Sequence, residues 1–328
     1  MLQKTPKWQQ EIAEGFNNIA EICEYLNIIQ ISSESIDPQP DFPLRVPRNF
    51  VDRMKKGDLN DPLLKQILPI QSELLKTPGY THDPVGDLES MPETGVIHKY
   101  FGRVLLITTG SCAINCRYCF RRNFPYNDFQ LSTKKQLTAI NYIAAQQDIS
   151  EVILSGGDPL LLNDQKLLSL IHKIEAIPHI KRIRIHSRIP IVLPSRITTE
   201  LCESLSKIKK DLIMVVHSNH ENELNSQVKH ACENLKSANI TLLNQAVILK
   251  GVNNTVVQLC NLHEKLFTFS IMPYYLHLLD KASGTAHFEV NQAEAIHLMD
   301  QVKRKLPGYL VPKLVREQAG VANKIIID

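Results

Sequence analysis

The sequence predicts an α/β fold, in which a (β/α)6 barrel, full or partial, follows an N-terminal helical extension. From about residue 96, six short apolar and β-branched runs alternate with stretches of helical period, which indicates βαβ units around a parallel sheet. Polar, reactive residues end or follow nearly every run. A barrel brings the C-terminal ends of all its strands to one face. A doubly wound sheet, which would gather such residues at one crevice, is the alternative.

Residues 1–95 form the predicted extension. Apolar residues recur at helical spacing from Trp8 to Leu26. A proline-rich connection follows, containing Pro38, Pro40, Pro43 and Pro47. Short helices are predicted at residues 50–56 and 62–67, and turns at residues 78–79 and 83–84. By itself this segment shows no recognisable chemistry.

Residues 96–328 form the second predicted domain. Its six predicted strands are residues 104–107, 152–154, 180–185, 212–216, 240–249 and 267–272. Helical periodicity predicts helices at residues 134–147, 165–176, 199–207 and 223–238.

The first strand leads into the stretch TTGSCAINCRYCFRR, in which Cys112, Cys116 and Cys119 are spaced C-x3-C-x2-C. Thiolates gathered on a short loop bind iron or zinc. Zinc sites usually show two cysteine pairs or a cysteine pair with histidines, whereas the other four cysteines here are scattered. Three cysteines on a four-iron cluster leave one iron open to a small molecule. The spacing is typical of the radical S-adenosylmethionine (SAM) enzymes.

The second strand is followed by a strand-to-helix turn containing Gly156, Gly157 and Asp158. Glycines let the backbone approach a ligand and offer its N–H groups. An ordinary tight turn would use the same residues, so the turn alone is an ambiguous signal.

Several charged residues are candidates for ligand contacts. Arg121 follows the third cysteine directly, and Arg103 precedes the first strand, so either could bind a carboxylate or a phosphate. Asp280 and Glu317 could receive a substrate ammonium group, and Lys324 could form a Schiff base in a partly desolvated site. Each of these residues could equally be a solvated surface charge.

The composition limits the kinds of partner that the protein is expected to bind. The net charge of +3, from 37 basic and 34 acidic residues, argues against a broad nucleic-acid surface. No apolar run approaches the roughly 18 residues of a membrane span, and the first residues lack the apolar core of a signal peptide. The seven cysteines are therefore expected to be reduced thiols in a cytoplasmic protein.

The motifs together resemble one enzyme family. They are TTGSCAINCRYCFRR, LSGGDPLLL, IRIHSRIPIVLPSRIT, HSNHENE, LLNQAVILKGVN, PYYLHLLDKASGTAHF and PGYLVPKLVRE. From about residue 95 to the last residue, the chain resembles the lysine 2,3-aminomutase family of radical SAM, pyridoxal 5′-phosphate (PLP) enzymes. The last motif and the short C-terminus most resemble the bacterial branch that makes (R)-β-lysine for elongation factor P.

The resemblance implies a radical SAM barrel with a PLP-binding tail. Cys112, Cys116 and Cys119 would hold a [4Fe-4S] cluster whose open iron binds SAM. The residues that would surround SAM are Gly156, Gly157, Asp158, His217 and Gln245. Arg103 would bind the phosphate of PLP, and Lys324 would form the Schiff base.

The resemblance also implies how lysine would be held. Arg121 would clamp its carboxylate, and Asp280, helped by Glu317, would receive its distal ammonium group. The chain departs from the free-lysine enzymes at two points. They carry a glycine-rich run before the Schiff-base lysine, where this chain has residues 318–323, and an aspartate in place of Glu317.

The implied activity is PLP-dependent L-lysine 2,3-aminomutation, converting (S)-α-lysine to (R)-β-lysine. The implied partners are a reductant protein such as flavodoxin and, functionally, elongation factor P with its lysyl ligase. The chain could also form a homodimer. Three alternatives stay open: an aminomutase for another amino acid, a PLP-independent radical SAM enzyme, and a binding protein with a structural metal knuckle. Glutamate as substrate would call for a basic residue in place of Asp280.

Overall fold

A computed structural model describes residues 5–28, 42–129 and 133–328, and a single nine-stranded sheet organises them. The strands are β1 Val96–Tyr100, β2 Arg103–Thr109, β3 Glu151–Gly156, β4 Arg182–Ser187, β5 Asp211–Val216, β6 Thr241–Val247, β7 Met272–His277, β8 Lys313–Arg316 and β9 Ile325–Ile326. They lie in the sheet in the same order as in the chain.

The topology is that of a partial barrel, as predicted. Strands β2 to β8 pair in parallel, while β1 and β9 add antiparallel edges. A doubly wound sheet would reverse its strand order, and this sheet never does. The two ends of the sheet also approach each other, because Lys99 on β1 binds Glu317, the residue after β8, at 3.1 Å. The parallel strand β8 is one more than the six that were predicted.

Helices connect the strands. They are α1 Lys7–Ala13, α2 Ile19–Tyr25, α3 Arg48–Val51, α4 Tyr126–Phe129, α5 Thr133–Ala145, α6 Asp164–Glu175, α7 Ile189–Val192, α8 Thr199–Leu205, α9 Ser226–Ser237, α10 Val256–Thr268 and α11 Gln292–Lys303. Side chains of Asn163, Asn225 and Thr255 accept hydrogen bonds from the first turns of α6, α9 and α10. The four predicted barrel helices correspond to α5, α6, α8 and α9, whereas α10 and α11 were not predicted.

The sixth predicted strand, residues 267–272, was placed too early. Phe267 lies in α10, and β7 begins only at Met272. Pro273 made the following residues look like a loop, since proline cannot donate to a sheet. The strand accommodates it at a register shift, where Asn244 pairs with Pro273 and Gln245 pairs with Tyr275.

The predicted helical stretch from Trp8 to Leu26 divides into α1 and α2. Between them, Phe16 exchanges two backbone hydrogen bonds with Val46, at 2.8 and 3.0 Å. The predicted helix at residues 50–56 is observed as α3, which begins earlier, at Arg48, and ends at Val51. The predicted helix at residues 62–67 shortens to the 3₁₀ turn Leu64–Gln66. Pro38 and Pro40 of the predicted connection lie outside the described residues.

The extension and the barrel share a core. One cluster of buried apolar side chains includes Trp8 and Phe50 of the extension together with Leu106 and Leu154 of the sheet. Burying a side chain such as Phe50 completely contributes about 1.5–3 kcal/mol. Within the described ranges, no helix is both long and apolar enough to cross a membrane.

Candidate active site

A cavity of about 550 Å³ opens where the strands end and continues into the barrel. Its wall contains every residue that the sequence singled out. These are Arg103, Cys112, Cys116, Cys119, Arg121, Gly156, Gly157, Asp158, His217, Gln245, Asp280, Glu317 and Lys324. They come from strands and loops along the whole barrel, so the fold brings distant parts of the sequence to one space.

The cysteine loop follows β2, and backbone contacts with the extension hold it. The amide of Asn115 donates to the carbonyl of Arg45 at 2.9 Å, and the amide of Arg117 donates to the carbonyl of Gln66 at 2.8 Å. The extension, which showed no chemistry in the sequence, therefore shapes the loop.

Side chains clamp the same loop. The buried carboxylate of Glu73 accepts hydrogen bonds from Arg117, through Nε at 2.8 Å, and from Arg122 at 2.6 Å. Although burial alone would raise the pKa of Glu73, the two guanidinium groups lower it. Glu73 thus stays ionised and joins both arginines of the loop to the extension.

The three thiols suit an iron–sulfur cluster by their chemistry. All three line the cavity and are partly exposed, and Arg188 donates to Sγ of Cys116 at 2.7 Å. Burial raises the pKa of Cys119 to about 11, so a bound metal would have to displace its proton. Among the described residues, no three His, Cys, Asp or Glu side chains are grouped so as to hold a metal ion. In a four-iron cluster each cysteine binds a different iron, so its ligands need not meet at one ion.

The glycine turn after β3 packs directly against the cysteine loop. Gly156 has a φ of +117°, and a Cβ on Gly157 would lie 2.2 Å from the carbonyl oxygen of Ser111. The amides of Gly157 and Asp158 donate to the carbonyls of Thr109 and Ser111, at 2.7 and 2.8 Å. The sequence predicts that the N–H groups of the glycines, including that of Gly157, are offered to a ligand. The structure instead uses the N–H group of Gly157, with that of Asp158, to join the two loops.

The carboxylate of Asp158 is fully engaged within the protein. It accepts hydrogen bonds from the Ser187 hydroxyl at 2.7 Å and from the amides of Leu160, Arg188 and Ile189 at 3.1, 2.8 and 3.2 Å. Burial raises its pKa, and these four donors oppose that effect. Asp158 therefore orients the end of β4, from which Arg188 reaches Cys116.

Histidines line the inner wall. Burial lowers the pKa of His217 to about 3 and that of His277 to about 3, so both imidazoles are neutral near pH 7. Nε2 of His186 and Nε2 of His277 have no hydrogen-bond partner among the described residues. A ligand in the cavity would meet neutral groups that can still donate or accept one hydrogen bond.

Arg103 and Lys324 are the candidates for PLP. The guanidinium of Arg103 stacks on the ring of Tyr100, 4.7 Å from its centroid, and no carboxylate of the described residues pairs with it. Lys324 contacts the carboxylate of Glu317, and its side chain is 21 % exposed. A free guanidinium and a half-buried amine on one cavity wall fit a phosphate-bearing aldehyde.

Arg121 and Glu317 belong to a continuous line of ion pairs. Nε of Arg121 donates to Asp87 at 2.7 Å, Lys99 binds Asp87 at 2.5 Å, and Lys99 also binds Glu317 at 3.1 Å. Although burial alone would raise it, the cations of Lys324 and Lys99 lower the pKa of Glu317 to about 2. Asp87 and Lys99 were not predicted as site residues.

Asp280 stands apart from this line. Its carboxylate faces the cavity, and no donor among the described residues lies within hydrogen-bonding distance of it. Burial and the negative charge of Glu317 raise its pKa to about 7. An unpartnered carboxylate in a cavity is stabilised by a ligand that carries a positive charge.

Comparisons with known proteins agree on one family. Residues 106–262 match the Radical SAM superfamily. The chain is 44% identical over 325 residues to an L-lysine 2,3-aminomutase of Escherichia coli (strain K12), covering 98% of this chain and 94% of that protein. A Haemophilus influenzae protein of the same name is 41% identical over 99% of this chain and 97% of its own length. The L-lysine 2,3-aminomutase of Clostridium subterminale is 32% identical, over 97% of this chain and 76% of that protein.

Proposed function

Since the chain belongs to the lysine 2,3-aminomutase family of radical SAM enzymes, we propose that it converts (S)-α-lysine to (R)-β-lysine with a [4Fe-4S] cluster, SAM and PLP. The reaction is an isomerisation. The amino group moves from C2 to C3, one hydrogen moves from C3 to C2, and no atom is gained or lost.

One observation supports lysine as the substrate. Asp280 is a carboxylate without a protein partner, in the same cavity as Arg121, Lys324 and the three cysteines. Lysine has a carboxylate for Arg121, an α-amine for the site of Lys324, and a distal ammonium group for Asp280. An amino acid with a neutral or acidic side chain would leave Asp280 unpaired.

The protein's part in the reaction is positioning and exclusion of water. When bound, the cluster and SAM supply a radical that can take one hydrogen atom, and PLP supplies a carbonyl for the amine and a ring that delocalises electrons. Charged contacts at both ends of lysine determine which hydrogen faces the radical, which is a proximity effect. The buried wall keeps water from the reactive species.

Glu317 is the acidic partner of Lys324 in the site. The ammonium of Lys324 contacts this carboxylate, whose low pKa keeps it ionised. Lys324 has to lose a proton before its nitrogen can attack a carbonyl. The substrate's distal ammonium can then take the place that Lys324 leaves beside Glu317, which explains how one carboxylate serves both groups.

We further propose that the product serves the modification of elongation factor P by its lysyl ligase in the cytoplasm, with a flavodoxin-like reductant. The chain is 44% and 41% identical to the Escherichia coli and Haemophilus influenzae relatives but 32% identical to the clostridial one, which supports membership of the branch that the first two represent. The homodimer and the division at residues 95 and 96 are proposals as well.

An anaerobic assay tests the proposed function. The enzyme, reconstituted with iron and sulfide, is incubated with SAM, PLP, dithionite and L-lysine, and the products are separated by chiral chromatography. We expect (R)-β-lysine, and its loss in Cys116→Ala. Cleavage of SAM without β-lysine would refute lysine as the substrate while keeping the radical chemistry. The absence of a borohydride-reducible Schiff base in the wild type, or its persistence in Lys324→Ala, would refute the PLP assignment.

A further inference from the structure

The line of ion pairs joins Arg121, proposed to bind the carboxylate of lysine, to Glu317, proposed to bind its distal ammonium group together with Asp280. Arg121 at one end and Glu317 at the other are linked through Asp87 and Lys99 alone. The side chains of these four residues are at most 15 % exposed, so solvent screens the contacts little. The relative position of the two binding groups therefore depends on the two residues between them.

Lys99 has no capacity left to bind a ligand. An ammonium group has three N–H donors. Nζ of Lys99 contacts the carbonyl of Val85 at 2.8 Å, Asp87 at 2.5 Å and Glu317 at 3.1 Å, which accounts for all three. Lys99 thus acts through Asp87 and Glu317 and is a positioning residue.

Asp87 is fixed from behind by the turn that precedes it. The carboxylate of Asp83 accepts the amides of Asp87 and Leu88, both at 2.9 Å. Gly86, with a φ of +67°, lies so close to the C-terminal tail that a Cβ there would be 2.9 Å from Cβ of Ala319. The sequence marked this turn by Asp83-Pro84 without giving it a role. It anchors the line of ion pairs and packs against the tail that carries Glu317 and Lys324.

We propose that Lys99 and Asp87 set the distance between the carboxylate and ammonium ends of the substrate site, and so select amino acids of the length of lysine. The inference rests on the proposed function and extends it. Two binding groups on independent loops could adjust to a shorter substrate. Two groups held by one buried line of ion pairs cannot move closer together. Ornithine, which is one methylene shorter than lysine, therefore leaves one of the two groups without a partner.

The preference of the enzyme for lysine over ornithine tests whether Lys99 and Asp87 set this distance. The holoenzyme is assayed with L-lysine and L-ornithine, and kcat and KM are determined for the wild type, Lys99→Met, Lys99→Arg and Asp87→Asn. In the wild type, kcat/KM for lysine should exceed that for ornithine by about 10- to 200-fold, the value of one methylene in a shaped site. In Lys99→Met the ratio should fall about tenfold, mainly through a higher KM for lysine, because binding shared by ground and transition states is lost.

Lys99→Arg is the matched control, since it keeps the positive charge between the two carboxylates and should retain most of the preference. Asp87→Asn breaks the same line at another point and replaces Lys99→Met if that variant does not fold. Thermal stabilisation of each protein by lysine and by ornithine gives a readout that is independent of turnover.

The outcomes separate the two proposals. A wild type that makes no β-lysine refutes the proposed function. An active wild type whose lysine preference is unchanged in both Lys99→Met and Asp87→Asn, even if both variants are slower, refutes the selection of length and leaves the function standing.

Discussion

At the scale of single residues, Asp280 shows how a ligand can stabilise a site that is less stable without it. Its half-buried carboxylate lines the cavity and forms no ion pair with the described residues, and desolvation together with Glu317 raises its pKa to about 7. The ordinary pKa of aspartate, which applies to the unfolded chain, is about 3.9. Because the folded protein holds this proton more tightly than the unfolded chain does, Asp280 lowers the free energy of unfolding progressively as the pH rises from about 3.9 to about 7.

Asp280→Asn should therefore raise the melting temperature of the ligand-free protein at neutral pH, because the amide carries no charge to bury. The same change should raise the KM for lysine by about 10- to 100-fold, the loss expected for one hydrogen bond to a charged group. Differential scanning fluorimetry and steady-state kinetics measure the two effects. Equal melting temperatures for both proteins at pH 8 would contradict the stability part.

The same pKa predicts a pH dependence in the wild type. Lysine binds the ionised form of Asp280, so its apparent affinity should increase as the pH rises through about 7. In Asp280→Asn this increase should disappear. A wild-type KM that is constant across neutral pH would show that Asp280 is not the group that receives the ammonium.

At the scale of elements, the extension behaves as part of the active site. Residues 42–73 hold the cysteine loop through backbone contacts to Asn115 and Arg117 and through the carboxylate of Glu73. Loops with little regular structure keep a defined shape only where other elements surround them. The loop's geometry thus depends on residues that lie between 44 positions (Glu73 to Arg117) and 70 positions (Arg45 to Asn115) earlier in the chain.

Glu73→Gln tests this dependence. It leaves the guanidinium groups of Arg117 and Arg122 buried without a carboxylate, and removing one partner of a buried ion pair typically costs about 3–5 kcal/mol. We expect a lower melting temperature and less iron bound per chain after reconstitution. Asp300→Asn, which removes an exposed pair with Lys303, is the control and should change neither. Full iron content in a destabilised Glu73→Gln would restrict Glu73 to a role in stability.

At this scale, what could be predicted from the sequence depends on how far apart two contacting residues lie along the chain. Cys112, Cys116 and Cys119 lie within one loop, so their spacing alone predicted a common site. Asp87, Lys99 and Glu73 have partners 34, 218 and 44 positions away, and no local pattern marks them. A lysine on a strand and an aspartate in a turn are unremarkable until the fold is known. The error in β7 was local, since proline concealed a strand that a register shift accommodates.

At the scale of the whole molecule, the extension and the barrel share one core, which joins Trp8 and Phe50 to the apolar side of the sheet. Polar contacts cross the same boundary, because Arg53 donates to the carbonyls of Ile191 and Glu223 at 2.7 and 2.6 Å. Domains that share buried contacts of both kinds generally unfold together.

We expect a single cooperative unfolding transition. Trp8, the only tryptophan, lies in α1 with the guanidinium of Arg196 4.8 Å from its ring, so its fluorescence reports on the extension. Circular dichroism reports on the helices and strands of the barrel. The two signals should change at the same denaturant concentration. Loss of the tryptophan signal well before the circular dichroism signal would show that the extension unfolds independently.

The line of ion pairs also has a consequence for the net charge that the cavity can accept. Within the line, the cations Arg121 and Lys99 balance the anions Asp87 and Glu317. Beside it, Lys324 contacts Glu317, and Asp280, when it is ionised, adds one negative charge. When the nitrogen of Lys324 gives up its proton to react, these six residues together are one positive charge short. Lysine, with two ammonium groups and one carboxylate, brings one net positive charge. A zwitterion with a neutral side chain would leave the deficit in a buried space, where unbalanced charge is most costly.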